Sequence, residues 1–236
     1  MRPLIILAAA ALAACSSGSA TPGPQISPGD DLHPVVVELY QSQGCSSCPP
    51  ANANLNAVAG KKGILALSFA VTYWDQLGWK DIYAKPEYTA RQWDYARASG
   101  RGNVATPQLI VAGRQAVLGS RKGEVDAAIA AAARRDGPTI SLANGRVSIG
   151  ADKTATPATI WLAEYDPRTV AVPIRAGEND GRTLPHRNIV TELRSLGSWS
   201  GAAARFGVVP SADKALLSAI LVQQGIGGPI VAARKI

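Results

Sequence analysis

The hydrophobic residues in the first half of the chain form two continuous runs of strand length, residues 35–40 and 64–71. Continuous apolar runs of this length are typical of strands that are buried on both faces of a parallel sheet. Between them, residues 51–59 place Leu55 and Val58 three positions apart, which predicts a short helix. Two parallel strands joined by a helix form a right-handed βαβ unit, so this region is predicted to be α/β.

Three further elements follow in the same half of the chain. Residues 87–99 have helical spacing, and two short apolar strands on either side of Gly113 and Arg114 predict an antiparallel hairpin. Residues 124–135 are rich in alanine and predict a third helix. We therefore predict a domain at residues 35–137 in which a mixed sheet is flanked by helices.

Beyond Pro138 the pattern changes to short strand-like segments separated by turn residues. Asn144 and Gly145 form a dipeptide that is typical of a two-residue hairpin turn. The predicted strands are 139–143, 146–149, 159–165, 169–175, 188–196, 204–209, 217–223 and 230–233. Residues 217–223 are also compatible with a short helix. Repeated short strands predict a mainly antiparallel, all-β domain at residues 138–236.

The amino-terminal segment resembles a bacterial lipoprotein signal. Residues 1–14 carry one positive residue, Arg2, followed by an apolar stretch that is too short to span a bilayer. The segment ends in Leu-Ala-Ala followed by Cys15, similar to the box in which the cysteine is acylated and becomes the first mature residue. Ser16 resembles the second residue of lipoproteins sent to the outer membrane. We expect a lipid-anchored protein of the cell envelope that faces the periplasm; a cleaved secretory signal without lipid is the alternative.

Residues 15–34 are rich in Ser, Gly, Pro and Thr, which predicts a flexible tether, with His33 as a solvated residue near its end. The whole chain has 24 Lys and Arg against 17 Asp and Glu, a net charge of +7. These charges are spread without a run, which favours a solvated basic surface over a nucleic-acid site. Export also argues against nucleic acid as a partner. The oligomeric state is left open by the sequence.

The candidate chemistry lies in Cys45-Ser46-Ser47-Cys48, directly after the first predicted strand. The two-residue spacing brings both sulfurs within bonding reach over one helical turn, and a helix N-terminus lowers the pKa of a nearby thiol. We therefore predict Cys45 as the nucleophile and the more exposed, more acidic thiol. Cys48 would be the resolving thiol one turn into a helix that is capped by Ser46 or Ser47.

The same motif is compatible with a structural disulfide or with half of a zinc site. If Cys15 is acylated, Cys45 and Cys48 are each other's only intramolecular partners, and an oxidising compartment favours their pairing. A closed zinc site needs two further ligands, for which the chain offers only His33 and His186. Copper delivery is disfavoured because no methionine remains after the signal is removed. We expect neither a metal nor another cofactor.

Residues 72–88 follow the second predicted strand and are rich in aromatic side chains. The carboxyl ends of parallel strands share one edge of a sheet, so this segment is expected to lie over the cysteine motif. Tyr73, Trp74 and Trp79 are candidates for a wall of the substrate groove; the alternative is that they pack into the core. His186, in a predicted loop, is expected to be a satisfied or surface histidine, although it could reach the cysteines from the second domain.

Several unusual blocks of the sequence resemble a known family. They are residues 43–50, 73–75, 78–81, 89–92 and 106–108. In this order they are similar to bacterial secreted thioredoxin-like proteins filed as domain of unknown function twelve-twenty-three, and the resemblance runs from about Val35 to the C-terminus. Family members often have His and Asp where this chain has Ala70 and Thr72. Any proton transfer or metal binding by that histidine would be missing here.

The resemblance implies a thioredoxin-like fold and, with it, thiol-disulfide exchange on a protein thiol or disulfide. Cys45 would form a mixed disulfide, which Cys48 would resolve. Thioredoxin-like proteins place a cis proline before the strand beside the first strand, so we expect a cis Thr106–Pro107 bond packed against the disulfide, shaping a groove for an added peptide strand. The alternative is a non-catalytic binding module with a static Cys45–Cys48 disulfide.

Lipidation gives the first testable prediction. Intact-mass analysis of the protein extracted from membranes should show a diacyl or triacyl adduct on an N-terminal Cys15, because the signal ends in a lipoprotein box. Cys15→Ser should abolish the adduct. A mature protein that begins after Cys15 and carries no lipid would contradict the prediction.

Overall fold

The computed structural model of the protein describes residues 29–132, 137–154, 156–209 and 211–236. Cys15, the predicted signal and most of the predicted tether lie outside these residues. The strands are β1 (Val35–Gln41), β2 (Ile64–Ala70), β3 (Gln108–Val111), β4 (Gln115–Leu118), β5 (Ile140–Ala143), β6 (Arg146–Ile149), β7 (Ala158–Asp166), β8 (Val170–Pro173), β9 (Thr183–His186), β10 (Ile189–Trp199), β11 (Ala204–Gly207), β12 (Leu217–Gln224) and β13 (Ile230–Lys235). The helices are α1 (Pro49–Val58), α2 (Pro86–Ala98) and α3 (Lys122–Ala131), with a 3₁₀ turn at Asp75–Leu77. Among the described residues, none of the helices is long and apolar enough to cross a bilayer.

The predicted α/β class with a large mixed sheet is confirmed. Within the described ranges, eight strands form one sheet in the order β13-β12-β7-β10-β2-β1-β3-β4. At its centre β1 and β2 are parallel, paired from Val35 with Ile64 to Gln41 with Ala70, and β3 is antiparallel to β1. Every residue of β1 and β2 is buried, as their continuous apolar runs predict.

The helices explain why both faces of these central strands are buried. On one face, α1 and α3 pack against the sheet through Leu55, Val125 and Ile129. On the other face, α2 contributes Tyr88 and Tyr95 to a separate apolar cluster. The two clusters enclose β1 and β2 on both faces and so position the point at which the chain leaves β1.

Four strands of the second half, β7, β10, β12 and β13, join the same sheet. β10 runs beside β2 in parallel, with Ile189 paired to Ser68, and is antiparallel to β7. The remaining second-half strands form a three-stranded sheet, β11-β6-β5, and a two-stranded sheet, β8-β9. The predicted antiparallel character of residues 138–236 is therefore observed, and residues 217–223 are strand rather than helix. That the two halves are separate domains stays a prediction.

The prediction that His186 lies in a loop is wrong. Residues Thr183–His186 form β9, which pairs antiparallel with β8. Pro185 favours a loop in the sequence because proline cannot donate to a strand ladder. In a two-stranded sheet, however, each strand has an edge where no donor is needed. The strand buries His186, whose pKa is lowered to about 4 by burial, so this side chain is neutral.

A buried ionic network joins two strands of the sheet, β1 and β12, to α2. Arg91 of α2 donates from Nε to Glu38 Oε1 of β1 at 2.8 Å and from Nη1 to Gln223 Oε1 of β12 at 2.8 Å. Tyr95 donates its hydroxyl to Glu38 and accepts from Arg91. Glu38 is 0% exposed, so its carboxylate depends entirely on these partners.

Removing Arg91 should be costly because Glu38 would be left as an unpaired charge in the core. We expect Arg91→Leu to lower the free energy of unfolding by about 3–5 kcal/mol, measured by urea denaturation. Arg97→Leu, which removes the exposed partner of Asp94 on the same helix, should cost about 1 kcal/mol or less. Equal losses of unfolding free energy in the two variants would show that the buried ion pair stabilises the fold no more than the exposed one.

Candidate functional site

The disulfide lies in the turn between β1 and α1. Cys45 and Cys48 are bonded, with Cα atoms 5.4 Å apart, and the Cys48 N–H donates to the Cys45 carbonyl at 3.1 Å. Helix α1 begins at Pro49, with Cys48 as its N-cap. The prediction that Ser46 or Ser47 caps the helix, with Cys48 one turn inside, is therefore wrong. The helix starts at the proline because position N1 needs no N–H and favours the fixed φ of proline.

This helix start changes what stabilises a thiolate. Pro49 and Pro50 have no N–H, so the first turn of α1 offers fewer free donors to a sulfur than an ordinary helix. The Ser47 hydroxyl lies 3.3 Å from Cys45 Sγ and can take the place of a missing donor. The positive end of the helix dipole still acts on both sulfurs, and most directly on Cys48 at the cap.

Both cysteines are 0% exposed in the disulfide form, although Ser46 and Ser47 between them are exposed. The expectation that Cys45 is the more exposed sulfur does not hold in this state. Side chains from two distant parts of the chain contact the loop on either side of Cys45.

Trp74 links the cysteine loop to the start of β3. Its Nε1 donates to Thr106 Oγ1 at 2.7 Å, and its Cβ would lie 3.5 Å from a β-carbon added to Gly44. The Thr106–Pro107 bond is cis, as predicted, and Pro107 is buried. The structure thus connects Thr106 to the loop of Cys45 through one indole ring.

Tyr73 and Trp79 form hydrogen bonds with other parts of the chain than Trp74 does. The Tyr73 hydroxyl donates to Gln92 Oε1 of α2 at 3.3 Å, on the side of the helix. Trp79 donates to Gln43 Oε1 at 2.9 Å and so contacts the cysteine loop. Both rings are half-buried, between the two alternatives of groove and core. That any of the three aromatics contacts a substrate stays a prediction.

Asp81 is a buried acid that bonds to the backbone of Gln43, two residues before Cys45. Its carboxylate accepts from the N–H of Gln43 and of Tyr83, each at 2.9 Å. Burial raises the pKa of Asp81 to about 6, although these two hydrogen bonds act in the opposite direction. Asp81 belongs to the block 78–81 that carries the family resemblance, but no feature of the sequence indicates that this acid contacts the cysteine loop.

Two residues of the second half, which sequence reasoning missed, complete the site. Asn179 is 0% exposed and donates from Nδ2 to the carbonyls of Gln43, at 2.8 Å, and Cys45, at 2.9 Å. Glu178 accepts from the N–H and the hydroxyl of Ser46, at 3.0 and 2.7 Å, and these bonds lower its pKa. The glycines at 177 and 181 mark a turn here, which was the one available signal.

Thr72 and Ala70, the two positions singled out by the resemblance, both form hydrogen bonds in the structure. Thr72 bonds to Thr89 of α2 through both its N–H, at 3.0 Å, and its hydroxyl, at 3.1 Å. The carbonyl of Ala70 accepts from the Lys85 N–H at 3.4 Å.

His33 lies beside Asp30, with Nδ1 at 3.1 Å from Oδ1. Among the described residues, no group of three His, Cys, Asp or Glu side chains is placed to hold a metal ion.

The raised pKa of Asp81 predicts a pH dependence of stability. Between about pH 4 and 6 the folded protein keeps a proton on Asp81 that the unfolded chain has released, so the free energy of unfolding falls as the pH rises through this range. The loss should be on the order of 2–3 kcal/mol relative to Asp81→Asn, measured by urea denaturation at each pH. Asp180→Asn, which removes an exposed carboxylate, controls for net charge. A constant difference between the wild type and Asp81→Asn would contradict the prediction.

Comparisons with known proteins place the chain in a family. A family described as "Protein of unknown function (DUF1223)" matches residues 36–223. A protein from Agrobacterium tumefaciens with an X-ray crystal structure is 31% identical, with a TM-score of 0.71 over 86% of this chain and 93% of that chain. HBP35 of Porphyromonas gingivalis is 12% identical, with a TM-score of 0.58 over 88% of this chain and 76% of that one, a likeness of fold alone. No curated protein matches. The chain is therefore a member of the DUF1223 family of proteins of unknown function.

Proposed function

We propose that the protein is a thiol-disulfide oxidoreductase built on a thioredoxin-like fold. The observation that carries the proposal is the position of the Cys45–Cys48 disulfide, at the carboxyl end of the parallel strand β1 and at the start of α1. This edge is where open α/β sheets bind their ligands. The link through Trp74 to Thr106 adds a second strand end to the same place.

The proposed reaction is exchange with a dithiol protein. A substrate thiolate attacks Cys45 Sγ, the Cys45–Cys48 bond breaks, and Cys48 leaves as a thiolate that the dipole of α1 stabilises. The second substrate thiolate then attacks the substrate sulfur of the mixed disulfide, which releases Cys45. The substrate gains a disulfide, and its two electrons reduce Cys45 and Cys48. The reverse sequence reduces a substrate disulfide.

A static disulfide is the second candidate, and one observation favours it. Both cysteines are fully buried, and the carbonyl of Cys45 is held by Asn179. A binding module with a closed structural bridge would have the same geometry. The two candidates differ in whether the bond cycles between its oxidised and reduced forms.

We also propose that this chemistry takes place on the periplasmic face of the outer membrane, with Cys15 as the lipid anchor. The proposal is supported by the lipoprotein box and by the composition of residues 15–34. An anchored oxidoreductase would act on proteins of the envelope, where disulfides persist.

Trapping experiments separate the two candidates. We expect Cys48→Ser to accumulate a mixed disulfide between Cys45 and a small thiol such as glutathione, seen by intact mass, because the resolving thiol is absent. The matched Cys45→Ser variant should accumulate less, since the proposed reaction forms the mixed disulfide at Cys45 and uses Cys48 only as the leaving and resolving thiol. The wild-type pair should have a reduction potential between about −230 and −120 mV. A potential below about −300 mV, with no mixed disulfide in either variant, would establish the static bridge.

A further inference from the structure

We infer that the loop between β8 and β9, residues 174–182, is a strap that closes over the disulfide and controls the access of thiols to it. The inference rests on the proposed function in one respect, since control of access matters only if the disulfide is exchanged. Within the strap, Asn179 is the positioning residue and Glu178 is an outer latch. The strap is supplied by the second half of the chain, far from the cysteines in sequence.

Asn179 is the buried pin of the strap. A side-chain amide has two N–H donors, and Asn179 uses Nδ2 on the carbonyls of Gln43 and Cys45. Arg182 donates to Asn179 Oδ1 at 2.7 Å, which fixes the amide in the orientation that the two carbonyls require. Both polar atoms of this amide therefore have partners: Nδ2 joins the strap to the backbone of the cysteine loop, and Oδ1 is held within the strap.

Glu178 holds the strap from the solvent side. Its carboxylate accepts two charge-assisted bonds from Ser46, inside the cysteine motif itself. The side chain is exposed, so water competes for both bonds and the contact is weaker than that of a buried residue. The strap thus has one buried attachment and one exposed attachment, on either side of the Cys45 backbone.

The strap belongs to a small unit that can move without disturbing the main sheet. β8 and β9 form a separate two-stranded sheet, and their apolar cluster is limited to Val172, Ile174 and Leu184 with a few half-buried neighbours. Two-stranded hairpins are marginally stable on their own, and such regions open locally at low cost. Gly177 and Gly181, both with positive φ, lie on either side of Glu178 and Asn179, where the backbone would have to turn.

The consequence is that reduction of the disulfide should be limited by opening of the strap. Both sulfur-bearing residues are 0% exposed when it is closed, so a thiol cannot reach them in line with the disulfide. Weakening the attachments should raise the open fraction and with it the rate of reduction. A protein dithiol needs a wider opening than a small dithiol and should gain more.

The test is the rate at which dithiothreitol reduces the native, full-length protein, followed by acid quenching and mass analysis. We expect Asn179→Ala to raise this rate by about ten-fold or more, because two buried hydrogen bonds are lost. Glu178→Gln should raise it a few-fold, on the order expected for an exposed contact. The control is Asn56→Ala, which removes a bond of the same kind from α1 to Pro185 of β9, away from the disulfide, and should change the rate by less than about two-fold.

Two results would overturn the strap: an unchanged rate in Asn179→Ala, or an equal rise in Asn56→Ala, which would indicate general loosening. If Asn179→Ala does not fold, Glu178→Gln decides, and combining it with Ser46→Ala should add little because the two residues share one contact. Asn179→Ala should increase the rate of reduction by a domain-sized protein dithiol by a larger factor than the rate of reduction by dithiothreitol. The rate of chemical reduction tests the strap alone, whereas trapping at Cys45 tests the oxidoreductase, so either can fail without the other.

Discussion

The site depends on a constraint of the backbone that follows β1. Residues 41–45 are all buried, yet beyond Gln41 the chain has left the strand ladder. Buried N–H and carbonyl groups must find partners or destabilise the fold. Here the N–H of Gln43 is satisfied by Asp81, and the carbonyls of Gln43 and Cys45 are satisfied by Asn179. The segment that carries the disulfide is therefore held by side chains and not by neighbouring strands.

Local patterns were enough to predict the elements that position the site. β1 and β2 were visible as continuous apolar runs, and the hairpin at Asn144 and Gly145 was visible in its turn residues, both of which have positive φ. Two errors came from proline. Pro49 places the start of α1 after the serines, and Pro185 makes the sequence of β9 resemble a loop.

The parts of the site that were missed are those that depend on long-range contacts. The cysteines were found because two residues separate them, whereas Asn179 contacts Cys45 across 134 positions. No periodicity or motif records such a pairing, which arises only because β10 lies beside β2 and brings the second half against the first. The ion pair of Glu38 with Arg91 could not be predicted for a similar reason. The apolar pattern predicts the helix that carries Arg91, but it does not indicate which charged residue Arg91 contacts.

Asn179 recognises the cysteine loop through main-chain oxygens, which every amino acid carries. Substitutions at Ser47, whose hydroxyl lies beside Cys45 Sγ, could therefore alter the pKa of that thiol while the hydrogen bonds from Asn179 to the loop stayed intact. Changes in residues 174–182 could, conversely, alter reach without touching the sulfur chemistry. The architecture separates how reactive the sulfur is from how often it is reached, so the two properties can be tuned independently.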